Sequence, residues 1–292
     1  MIFWMYYKNA LHQEIYPFVT GTPMNRSGII TLLTDFGLSD AYVAMMKGVI
    51  LSINRDAELI DITHSIRTGS VFQGAYILKE VFSCFPSGTV HVAVVDPGVG
   101  SNRRSIAVNA AGHFFTGPDN GIFWPVIEKY KDATIYELTE NKFFLPQITS
   151  TFHGRDIFAP VAAHISLGLD IQKFGRVVSD PEKLEIPLPF KHENVLSGQI
   201  IRIDNFGNLI TNITADALAG FLGNNEPVIH TGKIKIYGLN KIYSDRENGE
   251  LLAIINSSNQ LEIAVNMGKA SDYIGKEPDD IIGTGVKVEK TG

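Results

Sequence analysis

The fold class follows from the stretch Val90-His-Val-Ala-Val-Val-Asp96-Pro-Gly-Val-Gly100-Ser-Asn-Arg103, in which an apolar run of strand composition ends in an acid and a glycine turn. Apolar runs of this length, bounded by turn residues, are typical of strands buried in a parallel sheet. Asp96 is therefore predicted at the carboxyl end of a strand, where open α/β sheets bind ligands. The glycine turn brings Arg103 back towards Asp96, and an acid paired with a guanidinium at this edge suggests a catalytic pair.

Strand-like and helix-like segments alternate around this stretch. Strands are predicted at 29–34, 58–62, 89–95, 105–109, 113–116 and 134–138, and helices at 42–54, 69–85 and 156–167. Such alternation indicates an α/β domain with a largely parallel central sheet.

The character of the sequence changes at residues 180–192, which carry five charges and three prolines without clear periodicity and are read as a linker. Beyond the linker, short alternating segments separated by Gly and Asn turns predict a small antiparallel barrel or sandwich. We expect an N-terminal tail at 1–27, the α/β domain at 28–190 and the β domain at 191–292.

Composition excludes several classes of protein. The 292 residues carry a net charge of −6, whereas nucleic-acid binders usually show a basic patch or a high pI. No apolar run of 18 residues appears, so no membrane span is predicted. Cys84 is the one cysteine, which excludes an internal disulfide, and its apolar surroundings predict a buried structural thiol. A cytoplasmic location is expected.

Acidic and basic side chains follow the predicted strands of the α/β domain. Asp35 and Asp40 come after the first strand and could accept hydrogen bonds from ribose hydroxyls or an ammonium group, although Asp40 could instead cap the next helix. His153 precedes a helix, and its near-neutral pKa suits either proton transfer or a structural role. Asp156 is expected to pair with Arg155 or to cap the same helix.

The β domain offers two polar turns. In Asp204-Asn-Phe206-Gly-Asn208, Phe206 could stack on a flat ring and Asn208 carries the donor and acceptor that an adenine edge requires. The alternative is a turn with one core aromatic residue, and the turn at 256–259 has the same two interpretations. The acids and histidines of the chain lack zinc-helix spacing, so no metal site is predicted.

Taken together, these motifs resemble the S-adenosyl-L-methionine (SAM) hydroxide adenosyltransferases, a family related to the fluorinases and chlorinases. The resemblance runs from about Ile29 to Val288. It is carried by the following motifs in the family's order: Thr-Asp-Phe-Gly at 34–37, Asp-Pro-Gly-Val-Gly at 96–100 with Arg103, Pro-Asp-Asn-Gly at 118–121, His-Gly-Arg-Asp at 153–156, Phe-Gly-Asn at 206–208 and Asn-Ser-Ser at 256–258.

The resemblance implies an N-terminal α/β domain, a C-terminal β-barrel, and a homotrimer with active sites between the N domain of one subunit and the C domain of its neighbour. It implies hydrolysis of SAM to adenosine and methionine without a cofactor, by a triad of Asp96, Arg103 and His153. The implied substrate contacts are Asp35 and Asp96 for ribose; Phe206, Asn208 and the backbone near Val265 and Met267 for adenine; Asp40, Asp204 and Ser257 for methionine; and in addition Glu262 and Tyr243.

Two alternatives to hydrolysis stay open. A halide-using adenosyl transferase would need a halide pocket, which the halogenating relatives line with hydroxyl side chains where this chain has Asp96, Val99, Arg103 and Gly154. An anionic Asp96 should repel halide, which favours water as the nucleophile. Those relatives also carry a tryptophan where this chain has Gly69. A non-catalytic nucleoside-binding module is the other alternative, and the intact triad argues against it.

Overall fold

The computed structural model describes residues 26–275 and 277–291. Of the predicted tail at 1–27, residues 1–25 lie outside this range. The N-terminal part contains a six-stranded sheet in the order β2-β1-β3-β5-β4-β6, in which only β4 runs against the others. Its strands are β1 (Ile29–Thr34), β2 (Glu58–Thr63), β3 (Val90–Val94), β4 (Ser105–Ala110), β5 (His113–Pro118) and β6 (Thr134–Glu137). The prediction of an α/β domain with a largely parallel sheet is confirmed.

Helices cover both faces of this sheet. They are α1 (Tyr42–Ile53), α2 (Val71–Val81), α3 (Trp124–Lys129) and α4 (Ala159–Ser166). Helices α1 and α4 share one apolar core with Leu32 and Val92, whereas α2 and α3 share the opposite core with Leu33 and Ala93. Neighbouring residues of a strand point to opposite faces, so a central strand needs an unbroken apolar run. That requirement explains the sequence of β1 and β3.

The C-terminal part is an antiparallel sheet that bends into a barrel-like form, as the sequence predicts. Its order is β11-β10-β14-β8-β9-β13-β12, with β7 added on β8. The elements are β7 (Phe190–His192), β8 (Val195–Ile203), β9 (Leu209–Thr214), α5 (Ala215–Leu222), β10 (Pro227–Thr231), β11 (Ile234–Tyr237), β12 (Leu251–Ile255), β13 (Gln260–Val265), α6 (Pro278–Ile281) and β14 (Gly285–Lys290). Just past β11, the amide of Asn240 donates to the carbonyl of Ala253 on β12, across the gap between the two outer strands.

Arg104 pairs with two aspartates and so fastens the segment that leaves the α/β domain. Arg104 Nε donates to Asp119 Oδ2 at 2.7 Å, and Arg104 Nη1 donates to Asp180 at 2.7 Å. Asp119 Oδ1 also accepts from the backbone amide of Glu182 at 2.9 Å. In this structure the Pro-Asp-Asn-Gly motif at 118–121 therefore anchors the connecting segment.

The prediction of a buried Cys84 is wrong, because its side chain is exposed. Helix α2 ends at Val81, and residues 82–84 tighten into a 3₁₀ turn. This turn directs Phe82 into the core and leaves Cys84 outside. Within residues 26–275 and 277–291, no helix has the length and apolar character needed to cross a membrane.

His91 on β3 and His113 on the neighbouring strand β5 form a buried pair. His91 Nε2 lies 3.2 Å from His113 Nδ1, and His91 Nδ1 lies 2.8 Å from Thr31 Oγ1. Burial, and then the neighbouring His113, lower the pKa of His91 from 6.5 to about 3, and burial also lowers the pKa of His113. The fold therefore holds both imidazoles neutral at neutral pH.

We expect this pair to make the free energy of unfolding depend on pH. The pKa of His91 is lower in the folded than in the unfolded chain, so its contribution is complete above pH 6.5 and is lost as the pH falls from 6.5 towards 3. One such proton contributes a slope of up to about 1.4 kcal/mol per pH unit. Urea unfolding measured between pH 6.5 and about pH 5 gives the slope of the free energy of unfolding against pH. In His91→Asn this slope should be smaller than in wild type by the contribution of about one proton. An unchanged slope in the variant would contradict this expectation.

Candidate active site

Asp96 and Arg103 form a buried ion pair at the carboxyl end of β3. The chain turns back after Asp96 through backbone hydrogen bonds from Val99 to Asp96 and from Ser101 to Gly98. Arg103 Nε then donates to both carboxylate oxygens of Asp96, at 2.9 and 3.0 Å, and Nη2 donates to Oδ2. The Arg103 and Asp96 side chains are only 10% and 5% exposed. The predicted acid–guanidinium pair is thus present at the predicted edge of the sheet.

His153 joins this pair from a distant part of the chain. Arg103 Nη2 lies 2.8 Å from His153 Nδ1, so the guanidinium stands between the carboxylate and the imidazole. Burial, and then the positive charge of Arg103, lower the pKa of His153 below 6.5. Arg103 Nη1 also donates to Ser105 Oγ at 2.8 Å. Sequence reasoning missed Ser105, because a serine at the start of a strand gives no signal of its own.

A single π-helical turn, Gly154–Phe158, sets the position of His153 before α4 begins. Such π turns interrupt helices most often at functional sites. Within it, buried Asp156 accepts from Arg155 Nε at 2.6 Å and from both the amide and the hydroxyl of Thr149, at 2.7 and 2.6 Å. Of the two predictions for Asp156, pairing with Arg155 is confirmed. The same carboxylate ties the loop before His153 to the helix after it.

Three aromatic rings connect this loop to the loop after β1. The ring centroids of Phe36, Tyr42 and Phe152 lie 5.1–5.8 Å apart. Phe36 and Phe152 pack against Gly154, where an added Cβ would lie 3.3 Å from both Met46 Sδ and the Phe152 ring and 3.5 Å from the Phe36 ring. The rings therefore fix the loops of Asp35 and His153 relative to each other.

Asp35 and Asp40 have different surroundings. Asp35 Oδ2 accepts from the amide of Gly69 at 2.8 Å, and a Cβ added to Gly69 would lie 3.9 Å from Cβ of Pro97. Asp35 is thus held close to the turn that follows Asp96. Asp40 is exposed, and the capping interpretation is wrong because α1 starts after Ala41 without a side-chain cap.

In the C-terminal domain, Asp204 organises the loop between β8 and β9. Its Oδ1 accepts from the amides of Phe206 and Asn208, both at 2.9 Å, and its Oδ2 accepts from Asn208 Nδ2 at 2.9 Å. This is the Asx-type turn that aspartate favours. The loop leaves the Phe206 side chain 73% exposed, so the interpretation of Phe206 as a core aromatic residue is wrong.

Glu262 on β13 is a buried carboxyl group in the same domain. Tyr243 donates to its Oε1 at 2.8 Å, and burial raises the pKa of Glu262. Burial and then Glu262 raise the pKa of Tyr243 to about 12, and the Asp204 charge acts on both groups in the same direction. Glu262, Tyr243 and Asp204 therefore belong to one electrostatic cluster.

The remaining candidates lie at the two ends of β13. Buried Val265 ends the strand, and Met267 follows with its side chain 84% exposed. This end meets the start of β9, beside the Asp204 loop, because Ile263 pairs with Leu209. Exposed Ser257 lies in the turn before β13, at the end where Gln260 pairs with Thr214. The structure thus gathers Val265 and Met267 near Asp204 and places Ser257 at the opposite end of the strand.

Among the described residues, the hydrogen bonds and ion pairs of Asp96, Arg103 and His153 do not reach the C-terminal domain. The described part of the chain also holds no group of three His, Cys, Asp or Glu side chains arranged to bind a metal ion.

Relatives of the chain include proteins named for hydrolysis and for fluorination. An (R)-S-adenosyl-L-methionine hydrolase of Methanocaldococcus jannaschii is 38% identical over 263 residues, covering 84% of this chain and 91% of that protein. A fluorinase of an Actinoplanes species is 31% identical over 218 residues, covering 65% and 73%. The crystal structure of a conserved Thermotoga maritima protein superposes with a TM-score of 0.82 at 35% identity, covering 89% and 99%.

Sequence profiles of one family match both domains. The profile for the SAM hydroxide adenosyltransferase N-terminal domain matches residues 30–175, and the profile for the C-terminal domain matches residues 198–283. The matched regions include the Asp96 turn, His153 and the Asp204 loop. With both profiles matched in order over most of its length, this chain belongs to the SAM hydroxide adenosyltransferase family.

Proposed function

We propose that this protein hydrolyses S-adenosyl-L-methionine to adenosine and L-methionine, by attack of water at the ribose C5′ and without a metal ion. The observation that carries the proposal is the bridged arrangement Asp96–Arg103–His153 at the carboxyl edge of the sheet. The similarity to proteins named (R)-S-adenosyl-L-methionine hydrolase supports the same substrate, including the (R) configuration at sulfur.

The chemistry requires little more than correct placement of water. The substrate is a sulfonium ion, so its leaving group departs as a neutral thioether. A water held in line with the C5′–S bond avoids much of the entropic cost of a bimolecular step. We assign this placement to Asp96, Arg103 and His153, and we assign contact with the ribose hydroxyls to Asp35 and Asp96.

The C-terminal candidates suit the two ends of the substrate. The exposed Phe206 ring is available to stack on adenine, and Asn208 Oδ1 is available to accept from its amino group while Nδ2 donates to Asp204. We assign adenine also to the backbone near Val265 and Met267. We assign the methionine part to Asp40 of the α/β domain and to Asp204 and Ser257 of the barrel, and we add Glu262 and Tyr243, which share an electrostatic cluster with Asp204.

We further propose a homotrimer in which each site combines the α/β domain of one subunit with the barrel of its neighbour. The exposed apolar side chains Leu38 and Tyr42 in the α/β domain and Phe206 and Met267 in the barrel support this proposal. The described hydrogen bonds of the triad, which stay within the α/β domain, agree with it. Exposed apolar groups beside both half-sites are expected where a partner covers them.

Subunit mixing tests the shared site. Asp96→Asn impairs only the half-site of the α/β domain, and a Phe206→Ala/Asn208→Ala double variant impairs only that of the barrel. Trimers that contain both inactive chains should regain activity at roughly one site in three. In a cyclic trimer of this kind, one of the three interfaces joins an intact α/β half-site to an intact barrel half-site. Each variant assembled alone is the control. Mixed trimers without activity would contradict a site formed between subunits.

A product assay tests the reaction. The chelator-treated protein should convert SAM in ¹⁸O-water into methionine and adenosine labelled at the 5′ oxygen, with the same rate and products when chloride is added. The (R) and (S) sulfonium epimers, assayed separately, should differ, with the (R) epimer consumed faster. A 5′-chloro product would favour a halide-using transferase, and bound adenosine without turnover would favour a nucleoside-binding module.

A further inference from the structure

We infer that the three triad residues have distinct roles: Asp96 accepts the proton of the attacking water, His153 is a neutral Nε2–H donor, and Arg103 is a positioning residue that fixes both. The inference rests on the proposed hydrolysis. It follows from the count of donors and acceptors around the central guanidinium, because each N–H and each lone pair can be assigned.

Arg103 has no donor left for a water molecule. A guanidinium carries five N–H groups and no acceptor. In this site Nε–H and one Nη2–H go to Asp96, and the second Nη2–H goes to His153. The two Nη1–H groups go to the Arg104 carbonyl at 3.2 Å and to Ser105 Oγ at 2.8 Å. Arg103 therefore orients its neighbours and does not itself contact the nucleophile.

His153 is held in one tautomer by this contact. Arginine stays protonated in proteins, so it must donate to Nδ1, and Nδ1 must offer its lone pair. A neutral imidazole with a free Nδ1 lone pair carries its proton on Nε2. Nε2 can then donate a hydrogen bond but has no lone pair with which to take a proton.

The charges around His153 oppose its conversion to imidazolium. The groups that face it are Arg103, Asp96 and Asp156, the last already paired with Arg155. A proton on Nδ1 would point at the Arg103 Nη2–H, which breaks the hydrogen bond and sets two cations side by side. Burial acts in the same direction and lowers the pKa of His153.

Asp96 retains free lone pairs that can accept a proton, which Arg103 and His153 lack. Its two carboxylate oxygens have about four lone-pair positions, and the two N–H groups of Arg103 fill two of them, with Nε–H shared between both oxygens. The remaining positions can take a ribose hydroxyl and the proton of the attacking water. In the resulting step, the water oxygen forms a bond to C5′ as the C5′–S bond breaks. The bonding pair goes to sulfur and gives neutral methionine, and the water proton goes to Asp96. The products are adenosine and methionine, and the carboxyl group later returns its proton to solvent.

Substitution of His153 by glutamine distinguishes a hydrogen-bond donor from a general base. A glutamine amide can accept from Arg103 and donate onward, but it cannot take a proton at neutral pH. His153→Gln should therefore keep kcat within about tenfold of wild type, whereas His153→Ala should lower kcat by roughly 10²-fold, the lower end of the effect of removing one preorganised hydrogen-bond donor. At position 96, by contrast, the amide of Asp96→Asn should not preserve kcat, because an amide cannot take the water proton. Equal loss of activity in the Gln and Ala variants, with unchanged thermal unfolding, would overturn the inference.

The tautomer can be measured without reference to activity. Long-range ¹H–¹⁵N correlation spectra of protein with ¹⁵N-labelled histidine, with the His153 signals assigned by their loss in His153→Gln, should show the Nε2–H form at neutral pH. In Arg103→Lys the spectrum should shift towards a mixture of tautomers. An Nδ1–H or imidazolium form in wild type would overturn the inference. Because this readout needs no turnover, it stays informative even if the product assay rejects hydrolysis.

Discussion

Asp96→Asn is expected to lower kcat by roughly 10²–10⁴-fold, the range for removal of a positioned acid–base group, with a much smaller change in substrate binding. The amide keeps the size of the carboxylate, so the turn of residues 96–100 can be retained. It lacks the negative charge and cannot hold a water proton. Steady-state kinetics and calorimetric binding of adenosine measure the two effects separately.

Asp119→Asn is the matched control for this experiment. Asp119 is also a buried aspartate paired with an arginine, Arg104, yet it anchors the segment between the domains rather than the triad. We expect Asp119→Asn to reduce the free energy of unfolding while kcat stays within about threefold of wild type, because the single amide oxygen cannot accept from both Arg104 and the Glu182 amide, although Arg104 keeps its ion pair with Asp180. Asp96→Asn with wild-type kcat would rule out the triad as the catalytic group.

Gly100→Ala should cause the largest loss of stability within the Asp96 turn and should also reduce activity. Gly100 has φ +77°, and an added Cβ would lie only 2.3 Å from the carbonyl oxygen of Ser150. The left-handed backbone costs an alanine about 1–2 kcal/mol, and overpacking adds about 1–3 kcal/mol. The clash pushes on the loop that leads to His153, so the distance between Arg103 and His153 should increase.

Gly98→Ala tests whether this effect is specific to position 100. A Cβ at Gly98 meets the Arg103 side chain and Ser101 Oγ at an ordinary 3.5 Å, and its φ is not in the left-handed region. We expect its free energy of unfolding to stay within about 1 kcal/mol of wild type. Chemical denaturation of both variants, together with their kcat values, gives the comparison. Equal stability of the two variants would show that the contact with Ser150 is relaxed at little cost.

The sequence predicted those parts of the site that depend on local chain geometry. The apolar run followed by Asp96, a glycine turn and Arg103 predicted the acid and the guanidinium side by side at a strand end, and the structure has them there. Local patterns were less reliable at the ends of helices. Asp40 precedes α1 but does not cap it, and Cys84 follows α2 in an apolar context but faces solvent. In both cases the precise end of the helix decides the outcome, and periodicity does not fix that end.

Tertiary packing decided the functions of residues that are distant in sequence. Nothing near His153 indicates that its partner is Arg103, 50 residues earlier, or that Asp156 holds the loop of Thr149. The sequence left Phe206 open between a ring that stacks on a ligand and a core aromatic residue, and the structure shows the ring exposed on the Asx turn of Asp204. The sequence by itself determined the layers, the strand order along the chain and the acid–guanidinium turn, because these depend on short-range periodicity and turn chemistry. The tertiary structure alone decided the protonation and the alignment of the triad, because burial and donor geometry arise only when separate segments pack together.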